Sequence, residues 1–194
     1  MATLALRSPR PASIDALRSG QASLAVQAAG VVGFALLAAL GAQFEIRLYL
    51  WEVPITLQTL AVYGSGLFLG GRNGFLAMTL YLALGLVLPV YAGGASGAEH
   101  LAGATGGYLL GWPLAAATIG ALSARWNTWL GSALAVLAGS AVLFTCGVTV
   151  LHYAADHATW WESLDRGWLR FVVWDLTKIA FVGAVYSGAR RLTS

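Results

Sequence analysis

The chain has 194 residues, of which 58% are hydrophobic and only 10% charged, against about a quarter charged in a soluble domain. With a mean hydropathy of +0.72, that balance excludes a soluble enzyme and assigns the net charge of +3 to membrane orientation rather than to nucleic acid. One cysteine, Cys146, excludes an internal disulfide or a Cys-based zinc cluster.

Residues 1–20 carry Arg7, Arg10 and Arg18 with Pro9 and Pro11 and no apolar core of signal-peptide length. They read as a poorly ordered cytoplasmic N-terminal tail ahead of a six-helix membrane domain at 21–194. A first apolar span is predicted over Leu24 to Ala42. Its Ala35/Ala39 and Ala38/Ala42 pairs allow close helix approach; they are candidate docking positions for a partner helix, though spacing alone favours ordinary packing inside the six-helix unit. An interfacial loop follows, with Glu45, Arg47 and Glu52 beside Tyr49 and Trp51.

A second span is predicted over Val53 to Gly70, with Pro54 in its first turn, where a missing N–H is tolerated. Thr56, Gln58 and Thr59 then place polar groups at a depth where lipid demands hydrocarbon, so they must face protein, water or ligand. A turn at 70–74 leads to a third span over Phe75 to Val90, broken by Pro89. A Gly-rich loop at 91–104 holds Tyr91, Glu99 and His100, and a fourth span begins near Thr105 and stops at Ser123. A fifth runs from Trp129 to Val150, a polar and aromatic stretch from His152 to Arg166 suits the interface, and a sixth runs from Gly167 to Gly188.

The fold class expected is an all-α integral membrane protein of six transmembrane helices with both termini cytoplasmic. Under that topology Arg7, Arg10, Arg18, Arg72, Arg125, Arg190 and Arg191 fall inside, seven of the eleven basic residues, as the positive-inside rule requires. The second, fourth and sixth spans all start at the outer face. Their polar groups therefore share one depth: Thr56 and Gln58, then Thr105 and Tyr108, then Asp175 and Lys178. The last two are three residues apart and lie on one helix face. A cation, an acceptor and neutral donors together suit a ligand with one carboxylate and one neutral polar head. The lysine serves either the ligand's carboxylate or Asp175 itself; an intramembrane ionisable pair favours the ligand.

VPITLQT (53–59), YAGG (91–94), TGGYLLG (105–111) and WDLTK (174–178), in that order, resemble BioY, the biotin-binding S component of energy-coupling factor (ECF) transporters. The resemblance implies biotin as substrate, no cofactor and no enzymatic activity of its own. It implies an inner cell membrane location and work with a transmembrane coupling protein and two cytosolic ATPases, or self-association if the chain acts alone. It assigns substrate binding to Asp175 and Lys178, and pocket formation to Thr56, Gln58, Thr105, Gly106, Gly107 and Tyr108. Tyr91, Tyr108 and Trp174 are candidate walls for the bicyclic ring. Two positions depart from the family pattern: Ala104 stands where a proline is common, and Trp174 where a glycine usually precedes the Asp-x-x-Lys element.

Other classes are less well supported. No G-x-x-x-x-G-K-[ST] occurs, so the chain has no phosphate-binding P-loop of its own. Gly94-Ala95-Ser96-Gly97 has a protease-like form, but the sixth span offers no histidine to a serine dyad. Glu99, His100, His152, Asp156 and His157 are polar loop residues that need no metal. An S component or small permease for another vitamin-like carboxylate is the main alternative.

Overall fold

The computed structural model describes residues 13–46, 52–126 and 128–193. Arg7 and Arg10 of the tail, and Arg47, Tyr49 and Trp51 of the interfacial loop, lie outside the described residues. The elements in order are α1 (Ser13–Arg18), α2 (Leu24–Ala42), β1 (Glu45–Ile46), β2 (Ile55–Thr56), α3 (Gln58–Gly85), α4 (Ala98–Ala102), α5 (Gly106–Ser123), α6 (Trp129–Ala154), α7 (Trp160–Gly167) and α8 (Val172–Thr193). Short 3₁₀ turns at Ala92–Gly94 and Leu169–Phe171 precede α4 and α8.

Among the described residues, α2, α3 and α6 are long and apolar enough to cross a membrane. Helices α2 and α6 each begin at a side-chain cap that follows extended backbone. Ser23 Oγ accepts from Val26 N at the start of α2, and Thr128 Oγ1 accepts from Gly131 N at 3.0 Å at the start of α6. The α3 segment is two arms. Gly70 has φ 76° and ψ 176°, a conformation open to glycine but not to a side chain. The chain folds back there, since a Cβ on Gly74 would lie 3.1 Å from the carbonyl of Ser65. The predicted turn at 70–74 is therefore a single-residue reversal. Arg72 and Asn73 already belong to the returning arm, where Asn73 Nδ2 donates to Gln27 Oε1 at 3.1 Å.

Two expectations are corrected. Residues 53–56 are not the first turn of a helix: Ile55 and Thr56 pair antiparallel with Ile46 and Glu45, and α3 starts at Gln58. The fixed φ of Pro54 suits extended backbone as well as a helix start, and β-branched Val53, Ile55 and Thr56 favour the former. The tail is not free of structure either. Helix α1 docks on the end of the bundle, where Arg18 donates to Leu67 O, to Tyr186 Oη at 2.6 Å and to Ser123 Oγ at 3.0 Å. Asp15 pairs with Arg190 at 2.9 Å. Three helices thus present acceptors that a short polar helix could not supply for itself. Both described ends of the chain consequently lie at the same end of the bundle.

Removing that anchor should loosen α1 without touching the far end of the molecule. Arg18→Ala is expected to lose about 2 kcal/mol of hydrogen bonding to a charged donor. At 2–4 °C per kcal/mol for a chain of this size, the melting midpoint should fall by roughly 4–8 °C. A thermal melt in detergent checks this, and an unchanged midpoint would show α1 to be unattached in solution.

The small-residue stripe of α2 faces inward. Ala35, Ala38 and Ala42 have no exposed surface, Ala39 packs against the core, and a Cβ on Gly41 would lie 2.9 Å from Gln58 N. The close approach expected of these alanines is made to α3 of the same chain, so they form no free docking surface. Leu36, Leu37 and Leu40 point outward instead.

Candidate binding site

The end of the bundle opposite α1 carries a cavity of about 340 Å³, open to one side and within the size range of small-molecule pockets, about 300–1,000 Å³. One wall is polar. Helix α8 contributes Trp174, Asp175 and Lys178, and the strand and start of α3 contribute Thr56, Gln58 and Thr59. The apolar and aromatic part of the lining comes from Leu109 and Trp112 of α5, Leu143 and Phe144 of α6, and Phe171 just ahead of α8.

The extended β2 strand explains the polar wall. It leaves the carbonyl of Thr56 free of helical pairing, and Lys178 Nζ donates to it at 2.7 Å and to Thr59 Oγ1 at 3.0 Å. The chain's one lysine is therefore held by neutral oxygens, and Asp175 is not among its hydrogen-bond partners. Asp175, only 6% exposed, accepts instead from Tyr63 Oη and from Ser140 Oγ. Gln58 is fixed by donating Nε2 to Tyr81 Oη at 2.6 Å, and Tyr81 donates onward to Val90 O at 3.1 Å. Tyr81 also stacks on Trp112 with ring centroids 5.4 Å apart.

Of the residues singled out in the sequence, Asp175, Lys178, Thr56, Gln58, Thr105, Tyr108 and Trp174 come together around this cavity. Trp174 is half exposed, and Ala104 lines the cavity as well. Tyr108 turns its hydroxyl away, donating to Gly167 O at 2.8 Å and tying the end of α7 to α5. Three others are not part of the lining. Tyr91 is fully buried, donates to Leu82 O at 2.8 Å and rests on Gly85. Gly106 and Gly107 serve backbone approach: a Cβ would lie 1.8 Å from Leu101 O on the first and 2.5 Å from Cys146 O on the second.

Sequence reasoning missed Tyr63, Ser140 and the apolar wall. Hydroxyls are common in membrane helices and usually bond back to their own carbonyls, as Thr145 and Thr149 do here. Nothing in the sequence sets Tyr63 and Ser140 apart from them.

A charged cluster adjoins the cavity through Glu52. Glu52, which lines the cavity, pairs with Arg166 at 2.7 Å, and Arg166 also reaches Glu162 at 2.8 Å. Burial alone would raise the Glu52 carboxyl, but a hydrogen bond from its own backbone and the Arg166 guanidinium hold it below the usual carboxylate range. His152 and His157 both turn Nδ1 toward Ser163 Oγ, at 2.9 and 3.0 Å. Helix α7 is capped by Thr159, whose Oγ1 accepts from Glu162 N at 3.2 Å. Its Trp160 and Trp161 are exposed, as suits a helix lying in the interface.

The family model for BioY matches residues 15–194. A biotin transporter BioY of Thermotoga maritima is 33% identical over 160 residues, covering 82% of this chain and 92% of that protein. A probable biotin transporter BioY of Pyrococcus horikoshii is 35% identical over 150 residues, or 76% of this chain and 85% of that one. The crystal structure of the S-component for biotin from an ECF-type ABC transporter superposes with a TM-score of 0.78 at 25% identity, covering 87% of this chain and 90% of that chain.

Proposed function

The chain belongs to the BioY family, and on that premise we propose that it takes up biotin, capturing the vitamin in the cavity described above. The observation that carries this reading is the pairing of walls. Asp175 and Lys178 sit one helical turn apart on α8, and the aromatic rings of Trp112 on α5 and Phe144 on α6 line the same cavity of about 340 Å³.

Biotin has two ureido N–H donors beside a carbonyl acceptor, an apolar bicyclic body and a valeryl carboxylate. An acceptor and a donor adjacent on one helix face match the adjacent N–H and C=O of a ureido group. Asp175 then accepts from a ureido N–H, and the N–H of Lys178 not spent on Thr56 and Thr59 donates to the ureido oxygen. The aromatic wall takes the rings. The tail runs toward the open side, where its carboxylate keeps its water.

The membrane arrangement has six crossings: α2, the two arms of α3, α5, α6 and α8. The cavity faces outward and α1 inward, with both termini cytoplasmic in the inner cell membrane. With no P-loop of its own, the chain draws its energy from a transmembrane coupling protein and two ATPases, or works through self-association. Because Ala35, Ala38 and Ala42 are occupied by α3, the outward face of α2 around Leu36 and Leu40 is what remains for lipid or partner.

The purified chain in detergent should retain labelled biotin through size exclusion, and unlabelled biotin should displace it. Complete loss of label from a folded, monodisperse preparation would overturn this function.

A further inference from the structure

We propose that Tyr63 and Ser140 are positioning residues for substrate recognition, holding the Asp175 carboxylate in the single orientation that presents its free lone pairs to the ligand. This rests on the reading of Asp175 as a biotin contact. The three side chains come from three helices, the first arm of α3, the middle of α6 and the start of α8, and meet where none of those helices could fix the carboxylate alone. Tyr63 has no exposed surface and Ser140 is 2% exposed. Neither lines the cavity, whereas Asp175 does. Their hydroxyls therefore act from behind it.

The geometry assigns one donor to each oxygen, Tyr63 to Oδ1 and Ser140 to Oδ2. An ionised carboxylate has about four lone-pair positions and no proton to give. Two neutral donors use about half of them and fix both rotation and tilt of the group. The remainder faces the cavity. Neutral donors matter here, because the nearby cation is committed to Thr56 O and Thr59 Oγ1 rather than to Asp175. The carboxylate is thus oriented while its charge remains available to a ureido N–H. A side chain already ordered before the ligand arrives loses less entropy when it binds.

The same bonds also tie three helices together, so the experiment must separate positioning from stability. Tyr63→Phe and Ser140→Ala each delete one hydroxyl with little change of shape. Biotin affinity of the full chain in detergent, by equilibrium dialysis with labelled biotin, and the melting midpoint without biotin would be measured for each. Both substitutions would also be placed in an Asp175→Asn background. Each single substitution is expected to weaken biotin binding roughly five- to tenfold. In the Asp175→Asn background the same substitution should change affinity by less than about twofold, since its effect passes through Asp175.

A purely structural role predicts a lower melting midpoint with the same fold-loss of affinity in both backgrounds, or no loss in either. Either result overturns the proposal. Should Tyr63→Phe fail to fold, Ser140→Ala, which removes one atom from α6, carries the test. If the unsubstituted chain does not bind biotin, the functional reading fails and this inference with it. Binding by the unsubstituted chain with indifferent variants sinks the inference alone.

Discussion

Asp175→Asn is expected to weaken biotin binding roughly 10- to 150-fold, the equivalent of about 1.5–3 kcal/mol for a hydrogen bond to a charged acceptor. The change is nearly isosteric, but it alters both sides of the residue. Toward the cavity, a ureido N–H meets a neutral amide instead of a carboxylate. Toward the core, the amide oxygen can still accept from Tyr63 or Ser140, but the amide nitrogen is itself a donor. It confronts the other hydroxyl, which must turn to accept. Isothermal titration of the purified variant measures the loss, with a thermal melt to show that the bundle still forms. Affinity within a factor of two of the unsubstituted chain would remove Asp175 from the site.

That residue was legible because an acid inside an apolar helix is costly unless it has a task. Lys178, three residues on, doubled the signal. The spans were legible for a related reason: runs such as Leu24–Ala42 and Trp129–Ala154 are too apolar for anything but a lipid-crossing or fully buried helix. What surrounds the acid was hidden. Tyr63 reads in sequence as one more membrane tyrosine and Ser140 as one more small residue in an Ala- and Gly-rich helix. Only the packing of α3, α6 and α8 turns both hydroxyls onto one carboxylate. Leu143, Phe144 and Phe171 are likewise indistinguishable from lipid-facing residues until the cavity is seen.

Two segments show where local signals stop. Pro54 is compatible with both a helix start and extended chain, and the choice was made by a partner strand some ten residues earlier, Glu45–Ile46. The Ala35/Ala39 and Ala38/Ala42 spacing correctly announced a close helix contact but could not name the neighbour. It proved to be α3 of the same chain. Helix α1 is the same lesson for polar sequence, since its stability comes from Leu67, Ser123 and Tyr186, all distant in the chain.

Lys178→Met should weaken biotin and biotinamide, whose tail is neutral, by the same factor, roughly 10- to 100-fold. The charge pattern read from sequence favoured the opposite, with Lys178 holding the valeryl carboxylate. Depth and neighbours argue against that orientation. Lys178 lies six residues into α8 from Val172, about 9 Å along the helix at 1.5 Å per residue, and its ammonium points to Thr56 and Thr59. A carboxylate brought there would lose its water and come to rest beside Asp175, itself an anion with no direct ion pair to the lysine. Two carboxylates sharing one ammonium in a dry site repel each other. The ureido oxygen is neutral, accepts readily and sits next to the N–H groups that Asp175 requires. Methionine keeps most of the stem of Lys178 and the wall it forms, but it gives up the donor. Thr56 O and Thr59 Oγ1 then lose a partner whichever ligand is bound, and so does the ureido oxygen. Competition of each ligand against labelled biotin measures the two factors on the same preparation. A loss for biotin at least tenfold greater than for biotinamide would return the carboxylate to Lys178 and reverse the orientation proposed for the ligand.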